Sequence, residues 1–236
     1  MDNSTRTLQS GAAAATYPMV ALPAPAALGT AASRVLRNTY ALLSMTLLFS
    51  AGVAAVSLAL NLPAPGIVVT LVGYFGLLFA VYRLKNRGWA VPAVFALTGF
   101  MGYTLGPVLA KALALPAGGQ AIMLALAATG ATFLGLSAWV LTTRRDFSFM
   151  GGFLFAGMVV ALVAGLGAVF LQVPALALVV SAMVALLSAG LILFETSRIV
   201  NGGESNYVLA TVGLYVSIFN LFASLLSLFG IGGSNE

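Results

Sequence analysis

The 236-residue chain is 61% hydrophobic and only 6% charged, with a formal net charge of +5. Soluble domains carry roughly a quarter charged residues, so this chain cannot cover a water-facing surface, and lipid is its expected solvent. Its 10 basic residues are scattered between apolar runs with no basic stripe, which argues against a nucleic-acid partner and fits the loop charge of membrane proteins. With 0 Cys and 0 His there is no disulfide framework, no thiolate nucleophile, and neither the usual metal ligand nor the usual general base. No cofactor, metal site or catalytic residue is expected.

Residues 1–33 are rich in Ala, Pro, Ser and Thr, and Pro18, Pro23 and Pro25 break the apolar stretch that a secretory signal would need. They are expected to form an uncleaved, poorly ordered cytoplasmic tail ahead of a membrane domain over 34–236. Hydrophobic runs of the length needed to cross a bilayer then fall at about 38–60, 66–82, 89–110, 120–142, 147–171, 174–194 and 207–230. The separators are turn-forming (Pro63 to Gly66, Pro116 to Gly119) or basic (Arg83 to Arg87, Arg144 to Asp146), and Pro174 divides what would otherwise read as one overlong run. The expected architecture is an all-α bundle of seven transmembrane helices.

Loop charge orients the bundle. With the N-terminus cytoplasmic, Arg34, Arg37, Arg83, Lys85, Arg87, Arg144, Arg145 and Arg198 all lie at the inner ends, and only Lys111 lies at an outer one. Seven spans then put the C-terminus in the periplasm. In the third span Gly102 and Gly106 form a Gly-x-x-x-Gly pair followed by Pro107, a spacing that lets two helix backbones approach, within the chain or between copies.

Ionisable groups inside spans are costly and therefore functional candidates. Glu195 ends the sixth run, with Arg198 three residues on. Either this is a solvated ion pair at a helix end, or Glu195 is a partly buried carboxylate whose charge is balanced between burial and Arg198 or Arg37. In the last span Gly213, Ser217, Asn220, Ser224 and Ser227 recur at helical spacing and form a polar stripe about 80° wide. Such a stripe faces protein or a water-filled cavity, as helix packing or as the lining of a closed pore. No loop carries a Walker-type glycine motif, and the last span has no lysine for a retinal Schiff base.

Several segments resemble the bacterial inner-membrane branch of the Bax inhibitor-1 family. They are Arg37 to Tyr40, Thr98 to Phe100 with Leu105 to Pro107, Val140 to Asp146, Ile192 to Ser197, and Asn201 to Tyr207 running into Ala210 to Asn220. The resemblance extends from about Arg34 to Gly230 and leaves out the tail. It implies a seven-helix membrane protein with no known enzymatic activity. It also implies association with the membrane AAA protease FtsH and its HflK–HflC partners, whose proteolysis such proteins modulate as poor or competing substrates. The wider family includes pH-gated calcium leaks, so calcium or protons form the alternative partner class. The aspartate pair of those leaks corresponds to Glu195 and Ser217 here. One carboxylate is kept and the other is lost, which leaves any gate resting on Glu195 alone.

Overall fold

The computed structural model describes residues 30–232, so most of the expected tail, up to position 29, and the last four residues lie outside the described residues. Seven long helices run Thr30–Ala59 (α1), Ile67–Leu84 (α2), Ala90–Leu113 (α3), Gly118–Thr143 (α4), Gly151–Leu171 (α5), Pro174–Val200 (α6) and Tyr207–Gly232 (α7). A single 3-10 turn, Ser148–Met150, leads into α5, and no strand occurs among the described residues. All seven are long and apolar enough to cross a membrane. The chain is an all-helical, multi-pass membrane protein in a lipid bilayer.

The two largest departures from the expected boundaries are at the start of the first helix and the end of the sixth. The first helix begins at Thr30 rather than near position 38, and its 30 residues reach about 45 Å, well beyond a hydrocarbon core of about 30 Å. Hydropathy marks only the part of a helix that lipid covers, so the polar first turns are invisible to it. The sixth helix likewise runs past position 194 to Val200, which makes Glu195 an interior residue of α6 and not its end. The α5–α6 break falls where Pro174 implies. Gln172 takes a left-handed conformation (φ 53°) that stops α5, the Val173 amide bonds back to the Ala168 carbonyl at 3.3 Å, and Pro174 starts α6 with no amide hydrogen to satisfy.

The bundle is built around α7. Half of its most apolar stretch is buried, against 6% for α2 and 17% for α5. Around it pack α1, α3, α4 and α6, while α2 leans chiefly on α3 and α5 chiefly on α6. The Gly-x-x-x-Gly pair serves this packing inside the chain: a β-carbon at Gly102 would collide with the backbone of Ser50, and one at Gly106 with Ser57 and the Leu58 amide. The Ser57 hydroxyl, freed for contact by that closeness, donates to the Tyr103 carbonyl at 3.0 Å. Tyr215 of α7 ties all three elements together, its hydroxyl bonding Ser50 Oγ at 2.6 Å and donating to the Thr98 carbonyl at 3.3 Å. Several other buried hydroxyls bond to carbonyls of their own helix, as Thr46 does to Leu43 and Thr129 to Ala125, so these cost little in lipid.

Two groups of loops mark the ends. At one, Asn201 and Ser197 both donate to the Arg145 carbonyl and Asn206 bonds Lys85 and Asn86, which gathers the α2–α3, α4–α5 and α6–α7 connections into one basic end. At the other, Tyr103 donates to the Pro63 carbonyl at 2.7 Å.

A larger side chain between α1 and α3 should therefore be felt strongly. Gly102→Leu and Gly106→Leu are each expected to cost about 1–3 kcal/mol by overpacking. Gly76→Ala, where a β-carbon meets nothing within 4 Å, should be neutral to slightly stabilising. Thermal unfolding of the purified protein in detergent compares the three.

Candidate functional site

Because α2 and α5 each lean on a different neighbour, they stand on opposite sides of a cleft of about 770 Å³ floored by α6 and α7. Lining residues on α5 run from Gly151 to Val169, about 27 Å along the helix axis, so the cleft spans nearly the whole hydrocarbon thickness. Its walls are apolar, with Ile67, Leu71 and Phe75 on α2 facing Phe155, Met158 and Leu162 on α5. Polar groups sit on its floor: Glu195 from α6 and Ser217 and Asn220 from α7, with Thr70 and Tyr74 on the α2 wall.

The Glu195 carboxylate has room because the facing residue of α7 is glycine. A β-carbon at Gly213 would lie 2.8 Å from Cδ of Glu195 and 2.9 and 3.1 Å from its two oxygens. Position 213 is thus the seat of the carboxylate, a role that the polar-stripe reading assigned to lining alone. Arg198 approaches Glu195 at 3.7 Å from the next turn of α6, but its shorter ion pair, at 3.0 Å, is with Glu204 in the α6–α7 loop. Sequence spacing identified the first partner. The second enters because the left-handed Gly202 (φ 76°) turns the chain back across the end of α6, where the Glu204 amide bonds the Arg198 carbonyl.

Glu204 in turn anchors the start of α7. Its other oxygen accepts the Asn206 amide at 2.9 Å, and Asn206 Oδ1 accepts the amides of Val208 and Leu209, which satisfies the open end of the helix. The Asn206 side-chain nitrogen reaches the α2–α3 loop, donating to the Lys85 carbonyl and Asn86 Oδ1. A continuous polar chain therefore runs from Glu195 on the cleft floor through Arg198, Glu204 and Asn206 to the end of the cleft wall α2. Sequence reasoning met Asn206 only as part of a shared motif: its place just before α7 is the local signal of a cap, while its partners in the α2–α3 loop, 120 residues away, leave no trace in the spacing.

The remaining expected residues separate. Ser217 lines the cleft, yet its hydroxyl donates to the Gly213 carbonyl at 2.9 Å in its own helix, and no bond joins it to Glu195 among the described residues. Asn220 lines the cleft one turn further on. Ser227 is turned to α6, where it accepts from Ser181 at 3.1 Å, and Ser224 is buried. The stripe is therefore divided, cleft lining in its first half and helix packing in its second. Arg37 does not join Glu195. It is exposed on α1 and lines a separate small pocket with Tyr40 and Leu141. Outside the membrane, Asp146 accepts from the Ser148 hydroxyl (2.6 Å) and amide (2.8 Å), and these bonds hold its carboxyl below the usual aspartate range.

These contacts make three expectations. Gly213→Ala should destabilise by about 1–3 kcal/mol through its clash with Glu195; adding Glu195→Ala should restore much of that loss, an interaction that a double-mutant cycle on thermal unfolding measures. Asn206→Ala should cost about 1–2 kcal/mol as a lost helix cap and should speed proteolytic nicking of the α2–α3 loop. The stabilisation from Asp146, whose pKa is lowered on folding, is present above the ordinary aspartate range and lost as pH falls through its own lowered value. Asp146→Asn should remove that acid-side decline from a plot of melting temperature against pH.

Comparison with known proteins identifies relatives over nearly the whole membrane domain. The family described as "Inhibitor of apoptosis-promoting Bax1" matches residues 32–234. An Escherichia coli K12 protein named "Modulator of FtsH protease YccA" is 54% identical over 198 residues, covering 84% of this chain and 90% of its own. An uncharacterised Pseudomonas aeruginosa protein is 53% identical over 204 residues, covering 86% and 92%. An uncharacterised membrane protein of Vibrio cholerae is 44% identical over 205 residues with the same coverage. A further Escherichia coli relative, 54% identical, is named "Inner membrane protein YccA". With its seven apolar helices and these matches, the chain belongs to the Bax inhibitor-1 family of membrane proteins.

Proposed function

We propose that this protein is a non-enzymatic regulator of membrane proteolysis, a poor or competing substrate of the FtsH protease and its HflK–HflC complex in a bacterial inner membrane. The observation that carries the reading is the 54% identity to a protein named as a modulator of FtsH, extending over 90% of that relative. The architecture supports it. A substrate that occupies a protease without being rapidly consumed must resist extraction, and α1, the helix that follows the N-terminal segment, is held on α3 and α7. Residues 1–29 would supply the end that the unfoldase grips, with the basic end of the bundle on the cytoplasmic side.

Affinity purification from native membranes should recover FtsH with the full-length chain, and removal of residues 1–29 should abolish that recovery. Failure to recover any AAA protease overturns the proposal; undiminished recovery without residues 1–29 overturns the grip mechanism. Orientation is tested separately. Since the chain has no cysteine, Gly88→Cys and Gly119→Cys each provide one thiol, and an impermeant maleimide added from the periplasmic side should label only the second.

The cleft supports a second reading, a proton-sensitive cation or calcium leak. The observation in its favour is a polar floor of Glu195, Ser217 and Asn220 in a cleft of nearly bilayer height. Against it stands the single carboxylate, opposite a serine whose hydroxyl is taken by its own backbone. Calcium flux into liposomes whose pH dependence shifts in Glu195→Gln would favour the leak; absence of flux at every pH would dismiss it.

A further inference from the structure

Apart from the cleft, a pocket of about 270 Å³ lies between the first turns of α1 and the last turn of α4, lined by Ser33, Leu36, Arg37, Tyr40 and Leu141. Three observations make it a site. Arg37 is exposed and forms no ion pair among the described residues. The acidic side chains of the described residues are engaged elsewhere, Asp146 with Ser148 and Glu195 and Glu204 with Arg198. The Tyr40 hydroxyl is buried without a hydrogen-bond partner among the described residues, while its ring is held on Phe133 at 5.9 Å.

The chemistry missing from this pocket is an acceptor with negative charge. A planar guanidinium matches two oxygens of a phosphate, and a tyrosine hydroxyl adds a third donor. The depth selects the form that phosphate takes. Because α1 is about 15 Å longer than a hydrocarbon core and carries Ser33, Arg34 and Arg37 in its first turns, those turns belong at headgroup depth, and Leu36 and Leu141 present apolar contact beside the charge. Arg34 lies one turn before Arg37, and Arg144 follows the end of α4, so the surroundings are basic as well. Basic pockets between membrane helices are where anionic headgroups settle.

We propose that the pocket of Ser33, Leu36, Arg37, Tyr40 and Leu141 binds the phosphate of an anionic phospholipid, with Arg37 clasping the phosphate and Tyr40 donating to it. The full-length protein, purified and delipidated in detergent, is titrated with phosphatidylglycerol or phosphatidylcholine, and bound lipid is counted by native mass spectrometry. Phosphatidylglycerol should bind more tightly than phosphatidylcholine. Arg37→Ala should weaken it about fivefold, the effect of one basic residue at a membrane surface. Tyr40→Phe, which keeps the ring on Phe133, should weaken it by a smaller factor, and Arg83→Ala, at the same end but outside the pocket, should leave it unchanged. Three results would overturn the assignment: wild-type binding by Arg37→Ala, equal loss in Arg83→Ala (diffuse charge attraction only), or displacement of the lipid by inorganic phosphate, which would make the site one for the free ion.

Discussion

Lipid tails are as apolar as leucine, so hydrophobicity places a helix in a membrane without telling it where among its neighbours to sit. In this bundle that decision rests on α7, which offers the other helices hydrogen bonds and small residues that lipid cannot replace. Tyr215 is the strongest case, joining Ser50 of α1 and the Thr98 carbonyl of α3 in one buried network. Thr211 adds a bond to the Thr39 carbonyl at 3.3 Å, and Ser227 accepts from Ser181 of α6. Gly102 and Gly106 let α1 and α3 close on each other beside it. α2 and α5, which rest chiefly on α3 and α6 and not on α7, are left at the margin, and the cleft exists because they are.

The cleft floor and the basic end form one polar system. Glu195 occupies space that Gly213 leaves open, and Arg198 is shared between Glu195 and Glu204. Glu204 and Asn206 then begin α7 and hold the loop at the end of α2. A change of charge at Glu195 would alter Arg198's balance between its two acidic partners, at the junction that connects the central helix to a cleft wall. That coupling holds for a modulator seized by a protease as well as for a leak.

The number of helices, their turns and the gathering of positive charge were legible in the sequence, because hydropathy and loop charge are local properties. Helix ends were less so. The first turns of α1 and the last of α6 are polar, and only the backbone shows that they continue the helix. Within the site, spacing found Glu195, Arg198, Gly213, Ser217 and Asn220 but not what each one touches. It could not separate Ser217 from Ser227, which share a stripe but meet the cleft and α6 respectively, because the stripe is wide enough to touch two neighbours. Arg37 and Glu195 share an end of the bundle in the sequence reading, but the fold places α1's arginine on another side. Glu204 and Asn206 act through contacts made by chain reversal, which periodicity does not record.

The order of well-held and loosely held helices along the chain has a mechanical consequence. Traction arriving from the N-terminal direction meets α1 first, with its close contacts on α3 and α7; traction from the other direction meets α7 itself. The weakly supported α2 and α5 lie between and cannot be peeled away until a firmly seated helix has yielded. Resistance is therefore concentrated at the first step of extraction, where a motor that slips loses nothing already gained, and a stalled attempt leaves the bundle whole.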